Sequence, residues 1–378
     1  MRKFWAKSVA VLKSIDHDER LCRLQLYRSV GIGPLTYRQL LGRYGSAKAA
    51  LEALPQLAEA KKRRGIKVPD GASVAREFTK LTELGGKMLT LGEEGYPTPL
   101  TAVPDAPPVL TIFGDPALLT RDCIAIVGAR NASAAGRRFA RQLAEDLGEA
   151  GFVITSGLAR GIDGAAHEAA LPTGTVAVLA GGADSIYPPE HAALYRSVAD
   201  QGAVISEQPL GMTGRAKDFP KRNRIVSGLS RGVVVVEAAE RSGTLITARL
   251  AAEQGREVFA VPGSPLDPRC AGTNSLLRRG AVLLRSAEDV ITELETGSQA
   301  LFEPSGPEWT DEDEEEVEGG LRDQLLELLS FTPTHKDTLI AEAAAAPGAV
   351  ALGLLELVLE GTVLEDAGGT YVLSAETV

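Results

Sequence analysis

The sequence predicts an α/β fold: an extended Rossmann-like, doubly wound, mostly parallel sheet, with a small helical domain before it and a winged helix after it. Three observations carry this. Between residues 121 and 295, short runs rich in Val, Ile and Ala recur and end at glycines or turns. The runs are continuously apolar rather than alternating, as strands buried on both faces are. Helical segments separate them, the order expected where parallel strands are joined by crossovers.

In chain order, residues 19–60 read as helical. VGIGPLTYRQLLGRYGSAKAAL sets a Gly-rich turn (Gly31, Gly33, Pro34) before an apolar-periodic helix, with a second turn at Gly45-Ser46. This suits a SAM-like or helix-hairpin-helix-like domain over 1–85. Its turn either aims N–H groups at a phosphate or merely joins two packed helices. KKRRGIK (61–67) reads as a solvated basic loop or helix end.

The second domain, 86–295, holds seven strand-like runs: CIAIVG (123–128), FVITSG (152–157), TVAVLAGG (175–182), AVISE (203–207), GVVVVEA (232–238), EVFAVPG (257–263) and AVLLR (281–285). An acidic linker follows at 296–320. Residues 321–378 supply three helical stretches and two short strands around Ala367-Gly368-Gly369, the winged-helix order. No repeat of fixed period is present.

Composition narrows the function classes. The 378 residues are 44% hydrophobic and 24% charged, ordinary for a globular chain. Cys22, Cys123 and Cys270 share no ligand spacing, which argues against a disulfide framework or zinc site. The N-terminal SVAVL run is too short for a signal peptide, and no stretch is long enough to span a membrane. We therefore expect a cytoplasmic protein with no membrane partner. The net charge of −10 hides an asymmetry: residues 303–378 hold 18 acidic and 2 basic residues, so the preceding body is net basic. A polyanionic partner for the body remains open.

In an open parallel sheet, ligands bind beyond the carboxyl ends of the strands. Those ends read Gly128-Ala129-Arg130, Ser156-Gly157-Leu158-Ala159-Arg160-Gly161, Gly181-Gly182 and Arg241-Ser242-Gly243-Thr244. Just before the helix leading to the fifth strand lies FPKRNR: Phe219, Lys221, Arg222, Asn223 and Arg224. Glycines let a backbone approach closely, and helix N-termini with arginines favour anions, so a phosphate-like ligand is expected.

Several residues have two readings. Lys221 alone is a solvated cation. Arg222 and Arg224 flank Asn223, so on a helix they point apart. Asp163 either orients an arginine or caps a helix. His167 is a helix-face residue. Phe219 either stacks on a base or plugs the core. The chain lacks GxGxxG after the first strand, an acidic end to the second, and GxxxxGK[ST]. No nucleophile–base pair or metal cluster stands out, which favours a binder over an enzyme, and no cofactor is expected.

The series IVGAR, TSGLARGIDGAAH, LAGGADSIYPPEH, ISEQPLG, FPKRNRIVSGLS, VVEAAERSGTLITARLAAEQGREVFAVPG and AGTNSLLRRGA closely resembles the DNA-processing protein DprA family, also called Smf, across about 105–295. The resemblance implies a homodimer that binds single-stranded DNA and loads RecA recombinase onto it in natural transformation. It makes Arg130 a leading DNA contact, Ser156, Gly157, Arg160 and Gly161 a phosphate pocket, and Lys221, Arg222 and Arg224 a continuing track. The family commonly has YPxEN where this chain reads Tyr187-Pro188-Pro189-Glu190-His191, an imidazole for an amide. With few aromatics, weak sequence preference is expected. The candidate recognition helix APGAVALGLLELVLEG has no cation, so 321–378 is expected to contact protein, or to shield the basic crevice through DEDEEE, rather than to add DNA affinity. The competing reading is a Rossmann-like nucleotide phosphoribohydrolase, whose PGGxGTxxE loop is absent as a unit.

Overall fold

All seven apolar runs become strands of one sheet, in a computed structural model that describes residues 15–60, 66–299, 318–329, 334–343, 345–360, 362–366 and 370–373. Outside the described residues lie the SVAVL run, the KKRRG part of the basic run, 300–317 of the acidic linker with its DEDEEE, and the turn at 367–369. The chain forms two units, 1–299 and 300–378.

The large sheet comprises β1 (Lys87–Thr90), β2 (Val109–Gly114), β3 (Cys123–Val127), β4 (Val153–Ser156), β5 (Thr175–Val178), β6 (Ala203–Ser206), β7 (Gly232–Val235), β8 (Glu257–Ala260) and β9 (Val282–Leu283). Their order is β1-β2-β6-β5-β4-β3-β7-β8-β9. From β6 to β9 every pair is parallel, while β2 joins β6 antiparallel and β1 joins β2 antiparallel. The sequence reading has no strand before 121. Both added strands sit at one end of the sheet and pair antiparallel, outside the alternation of parallel strands and helices that predicts the sheet.

Burial on both faces explains the unbroken apolar runs. Along β3, Ile124 and Ile126 face Leu143, Leu147 and Ile162 of the helices Ala134–Glu149 and Ile162–Ala170. Cys123, Ala125 and Val127 face the other way, onto Ile225, Leu229 and Ala248 of the helices Asp218–Leu229 and Thr244–Glu253. The chain winds outward from β3 through β4, β5 and β6, then returns to β7 on its other side. The switch point therefore lies between β3 and β7.

The N-terminal helices His17–Arg28, Pro34–Tyr44, Ala47–Ala60 and Gly71–Glu83 precede the sheet. Tyr37, Leu40 and Leu54 form a small core among them. Polar ties dock them on the sheet: Arg23 donates to the Thr90 hydroxyl and the Leu91 carbonyl, and Arg20 pairs with Glu93. In the second unit, helices Glu318–Leu328, Lys336–Ala343 and Pro347–Leu359 pack with β10 (Thr334–His335), β11 (Val363–Asp366) and β12 (Thr370–Leu373), ordered β10-β12-β11. Leu325, Leu339, Leu354 and Tyr371 form its core. This is a winged helix. Among the described residues no single helix is long and apolar enough to cross a membrane.

Candidate nucleic-acid interface

At the switch point the loops after β3 and β7 enclose a cleft of about 500 Å³. Gly128, Arg130 and Asn131 line it from the β3 side; Arg241, Ser242, Gly243 and Thr244 line it from the β7 side. The helix Thr244–Glu253 opens onto the cleft with Gly243 as its N-cap and no side-chain cap. The Ser242 hydroxyl accepts from the Thr244 N–H at 3.2 Å, and the Ser242 and Gly243 carbonyls accept from the Leu245 and Ile246 N–H groups at 3.1 Å, so the helix offers a ligand its positive dipole end rather than free N–H groups. Thr244 donates from its hydroxyl to the Gly128 carbonyl at 3.0 Å, tying the two loops together. The neighbouring helix Ala134–Glu149 is already capped by Ser133, whose hydroxyl donates to Glu237 at 2.5 Å. Arg130 and Arg241 are both exposed.

The loop after β4 forms another wall, and buried groups hold it. The Asp163 carboxylate accepts from the N–H of Gly157 at 3.1 Å and of Ala159 at 3.3 Å. Burial raises the Asp163 pKa, opposed by the Arg222 charge and these N–H donors. Asp163 thus pins the loop; Gly161, not Asp163, is the N-cap of its helix. Between the two pinned amides, Leu158 is buried at φ 56°, a left-handed conformation that side chains rarely adopt. His191 Nδ1 donates to the Leu158 carbonyl at 3.0 Å, so the imidazole serves as the hydrogen-bond donor at this position. Gly161 has φ 82°, and a Cβ there would lie 2.2 Å from the Ala129 carbonyl. His167 is buried, with Nδ1 2.7 Å from the Thr175 hydroxyl, which itself donates to Ile154. The ring is therefore protonated on Nδ1. Burial, with Arg222 and His191 nearby, lowers its pKa to about 3, so it is neutral.

FPKRNR does not precede a helix; it forms the first turns of Asp218–Leu229. Pro220 is tolerated there because a first-turn N–H has no intrahelical partner. The helix then distributes the side chains around its axis. Phe219 and Asn223 line the cleft, with Arg222 as its floor. Arg222 is only 6% exposed, donates from Nη1 to the Val178 carbonyl and lies beside Asp163. Burial lowers its pKa to about 10. Arg224 points away, to Glu207 at 2.5 Å and Asp105 at 3.2 Å. Glu207 also accepts from the Tyr27 hydroxyl at 2.9 Å. Lys221 is exposed and lines a separate groove with Tyr27, Gly33 and Arg224. The three cations therefore do not form one track. Ser156 is likewise misplaced by the sequence reading: it is fully buried behind the loop, donating to the Ile126 carbonyl at 2.6 Å.

Gly128, Arg130, Gly157, Phe219, Arg222, Asn223, Ser242, Gly243 and Thr244 are brought together around the cleft. Arg160 lines an adjoining notch with Arg130, Gly157 and Phe219, and Gly161 closes the turn behind. Phe219 is half-buried rather than a core plug; the Arg130 guanidinium lies 5.4 Å from its ring centroid. Asn131 and Arg269 also line the cleft. The strand-end rule reaches Asn131, whereas Arg269 arrives from a distant loop without a local signal. Among the described residues no group of three or more His, Cys, Asp or Glu is placed to hold a metal ion.

Known proteins resemble this chain in both sequence and fold. Residues 87–295 match the family described as DNA recombination-mediator protein A. Residues 17–79 match its DprA-like N-terminal HHH domain, and 310–369 the DprA winged helix domain. Protein Smf of Escherichia coli is 42% identical over 302 residues, covering 79% of this chain and 80% of that protein. DNA processing protein DprA of Bacillus subtilis is 43% identical over 232 residues, 61% of this chain and 78% of that protein. The crystal structure of Streptococcus pneumoniae DprA superposes with a TM-score of 0.62 at 32% identity, covering 74% of this chain and 99% of that one. Helicobacter pylori DprA, described for its single-stranded DNA binding mode, gives a TM-score of 0.52 at 30% identity over 56% of this chain and 96% of that one. With a family match across the whole sheet and relatives above 40% identity, the chain belongs to the DNA recombination-mediator protein A (DprA/Smf) family.

Proposed function

We propose that this protein binds single-stranded DNA at the switch-point cleft with little sequence preference and loads RecA recombinase onto it, as a homodimer, in natural transformation and recombination. The observation that carries the DNA reading is the cleft itself. Exposed Arg130 and Arg241 flank glycine-rich strand ends and the positive end of the helix Thr244–Glu253 at one opening. Such a surface suits a phosphodiester backbone, with affinity that is mostly electrostatic. The DNA-binding part is 86–295, between the helical domain 1–85 and the linker 296–320; the winged helix 321–378 contacts protein. Asp163 and His167 are engaged in holding the loop and the β5 edge. That argues for binding rather than the phosphoribohydrolase alternative. No cofactor enters this reading.

The test is fluorescence anisotropy of a labelled single-stranded oligonucleotide with wild type and Arg130→Ala/Arg241→Ala, at two salt concentrations. Tight, salt-sensitive binding weakened by the double substitution supports the reading. No binding at low salt, with release of free base from a nucleoside monophosphate, establishes the enzyme instead. RecA loading is tested separately, by RecA ATPase on DNA pre-coated with single-strand-binding protein. Failure to relieve the block refutes loading without touching DNA binding.

A further inference from the structure

A groove of about 500 Å³, separate from the cleft, runs between the N-terminal helices and the sheet. Gly33 and Pro34 line it from the helical domain, and Glu207, Arg215, Lys221 and Arg224 line it from the other side. We propose that this groove holds phosphates of the DNA strand after it leaves the cleft, which adds the N-terminal domain to the DNA-binding surface. The proposal rests on the DNA reading above.

Three observations point to an anion here. First, the helix Pro34–Tyr44 begins at the groove with an open N-terminus: Gly33 is its N-cap, and no side chain caps it. No acceptor among the described residues takes the N–H groups of Leu35 or Thr36. This helix of 11 residues therefore presents free donors as well as its positive dipole end. Second, Arg224 is only 8% exposed, and its guanidinium is not fully used. Nη2 pairs with Glu207 and Nε with Asp105, but Nη1 is buried without a partner. A buried donor left unpaired is costly, and a charge-assisted bond to a phosphate oxygen would satisfy it. Third, the charges are layered. Glu207 and Asp218 are buried, whereas Arg215 and Lys221, both paired with Asp218, extend into solvent. Asp105 is half-buried and already matched to Arg224. An anion at the mouth thus meets the cations before the carboxylates beneath them. The groove is also continuous with the cleft, because one helix serves both: Phe219 and Asn223 line the cleft, and Lys221 and Arg224 line the groove.

Gly33 provides the test. Its φ of −93° suits any residue, and a Cβ there meets nothing within 4 Å. Gly33→Asp and Gly33→Asn each put a capping side chain on the open helix end, so both should melt at or slightly above the wild-type temperature. Only the aspartate adds a negative charge. Anisotropy is measured with the full chain and single-stranded oligonucleotides of about four to sixteen nucleotides, the range of single-strand site sizes. Gly33→Asp should bind the longer oligonucleotides at least about fivefold more weakly, as expected for two like unit charges about 4 Å apart in water. Gly33→Asn should lose less. The shortest oligonucleotide, which occupies the cleft alone, should bind both variants as it binds wild type. Arg215→Ala/Lys221→Ala leaves the helix end untouched and should reduce the slope of log affinity against log salt by about one to two for the longest strand. Wild-type affinity of Gly33→Asp at every length overturns the proposal, as does a loss that is the same at every length or equal for aspartate and asparagine. An unchanged salt slope in the double variant overturns it without reference to the helix. If wild type binds no single-stranded DNA at all, the DNA reading itself fails and the groove site falls with it, an outcome distinct from the others.

Discussion

Arg222 and Arg224 stand two residues apart and serve different parts of the molecule. Arg224 neutralises buried Glu207, and Arg222 sits beneath the phosphate-type loop beside Asp163. Removing one partner of a buried pair leaves the other charge uncompensated, at a cost of about 3–5 kcal/mol. Arg224→Ala is therefore expected to lower the urea midpoint strongly. Arg130→Ala, at an exposed position, should leave stability within about 0.5 kcal/mol while reducing DNA affinity and the salt slope by about one. Equal stability of the two variants contradicts this division. His167 carries a pH signature. The unfolded chain protonates it below about 6.5, but the folded chain does not until about 3. In that window the unfolded state binds more protons, so stability falls as pH drops. Between pH 6.5 and 5 the loss from this group is about 2 kcal/mol. His167→Asn should remove that part of the acid sensitivity, read from urea melts at the two pH values.

At the scale of elements, the glycine-rich loops are shaped by what lies behind them. A Cβ on Gly157 would fall 2.2 Å from the Arg222 guanidinium, which is itself held against the Val178 carbonyl. Gly157→Ala should displace that group, destabilise the protein by roughly 1–3 kcal/mol and impair binding together. Gly243 behaves differently: a Cβ there meets nothing within 4 Å and its φ is an ordinary −59°. Gly243→Ala should leave the thermal midpoint unchanged yet weaken DNA binding, because the methyl group stands where a backbone approaches the positive end of the helix. Unchanged affinity would remove that helix terminus from the interface. These loops were legible as a site because strand ends can be located from periodicity alone. Which glycine faces the ligand and which faces Arg222 was not, since that depends on the packing of a helix more than sixty residues along the chain.

Across the whole molecule, charge is segregated. The body is net basic, while residues 303–378 carry 18 acidic and 2 basic residues. The helix Pro347–Leu359, in the position where a winged helix reads DNA, has no cation. Deleting 303–378 is expected to leave single-stranded DNA binding equal or tighter in the same anisotropy assay. A large loss would assign the winged helix a direct DNA contact.

The sequence by itself determined the fold class and the end of the sheet that carries the candidate site. Both follow from local regularities: unbroken apolar runs mark strands buried on two faces, and their carboxyl ends, rich in Gly and Arg, mark the crevice. Only the tertiary structure decided the roles of individual side chains. A helix turns about 100° per residue, so neighbours in FPKRNR face a cleft, a buried floor and the N-terminal domain in turn. It also brought Arg269 to the site from a loop with no sequence pattern, and withdrew Ser156 and Arg224 from it. Charge and residue type are properties of the chain; whether a charge meets solvent, a ligand or a buried carboxylate depends on what packs against it.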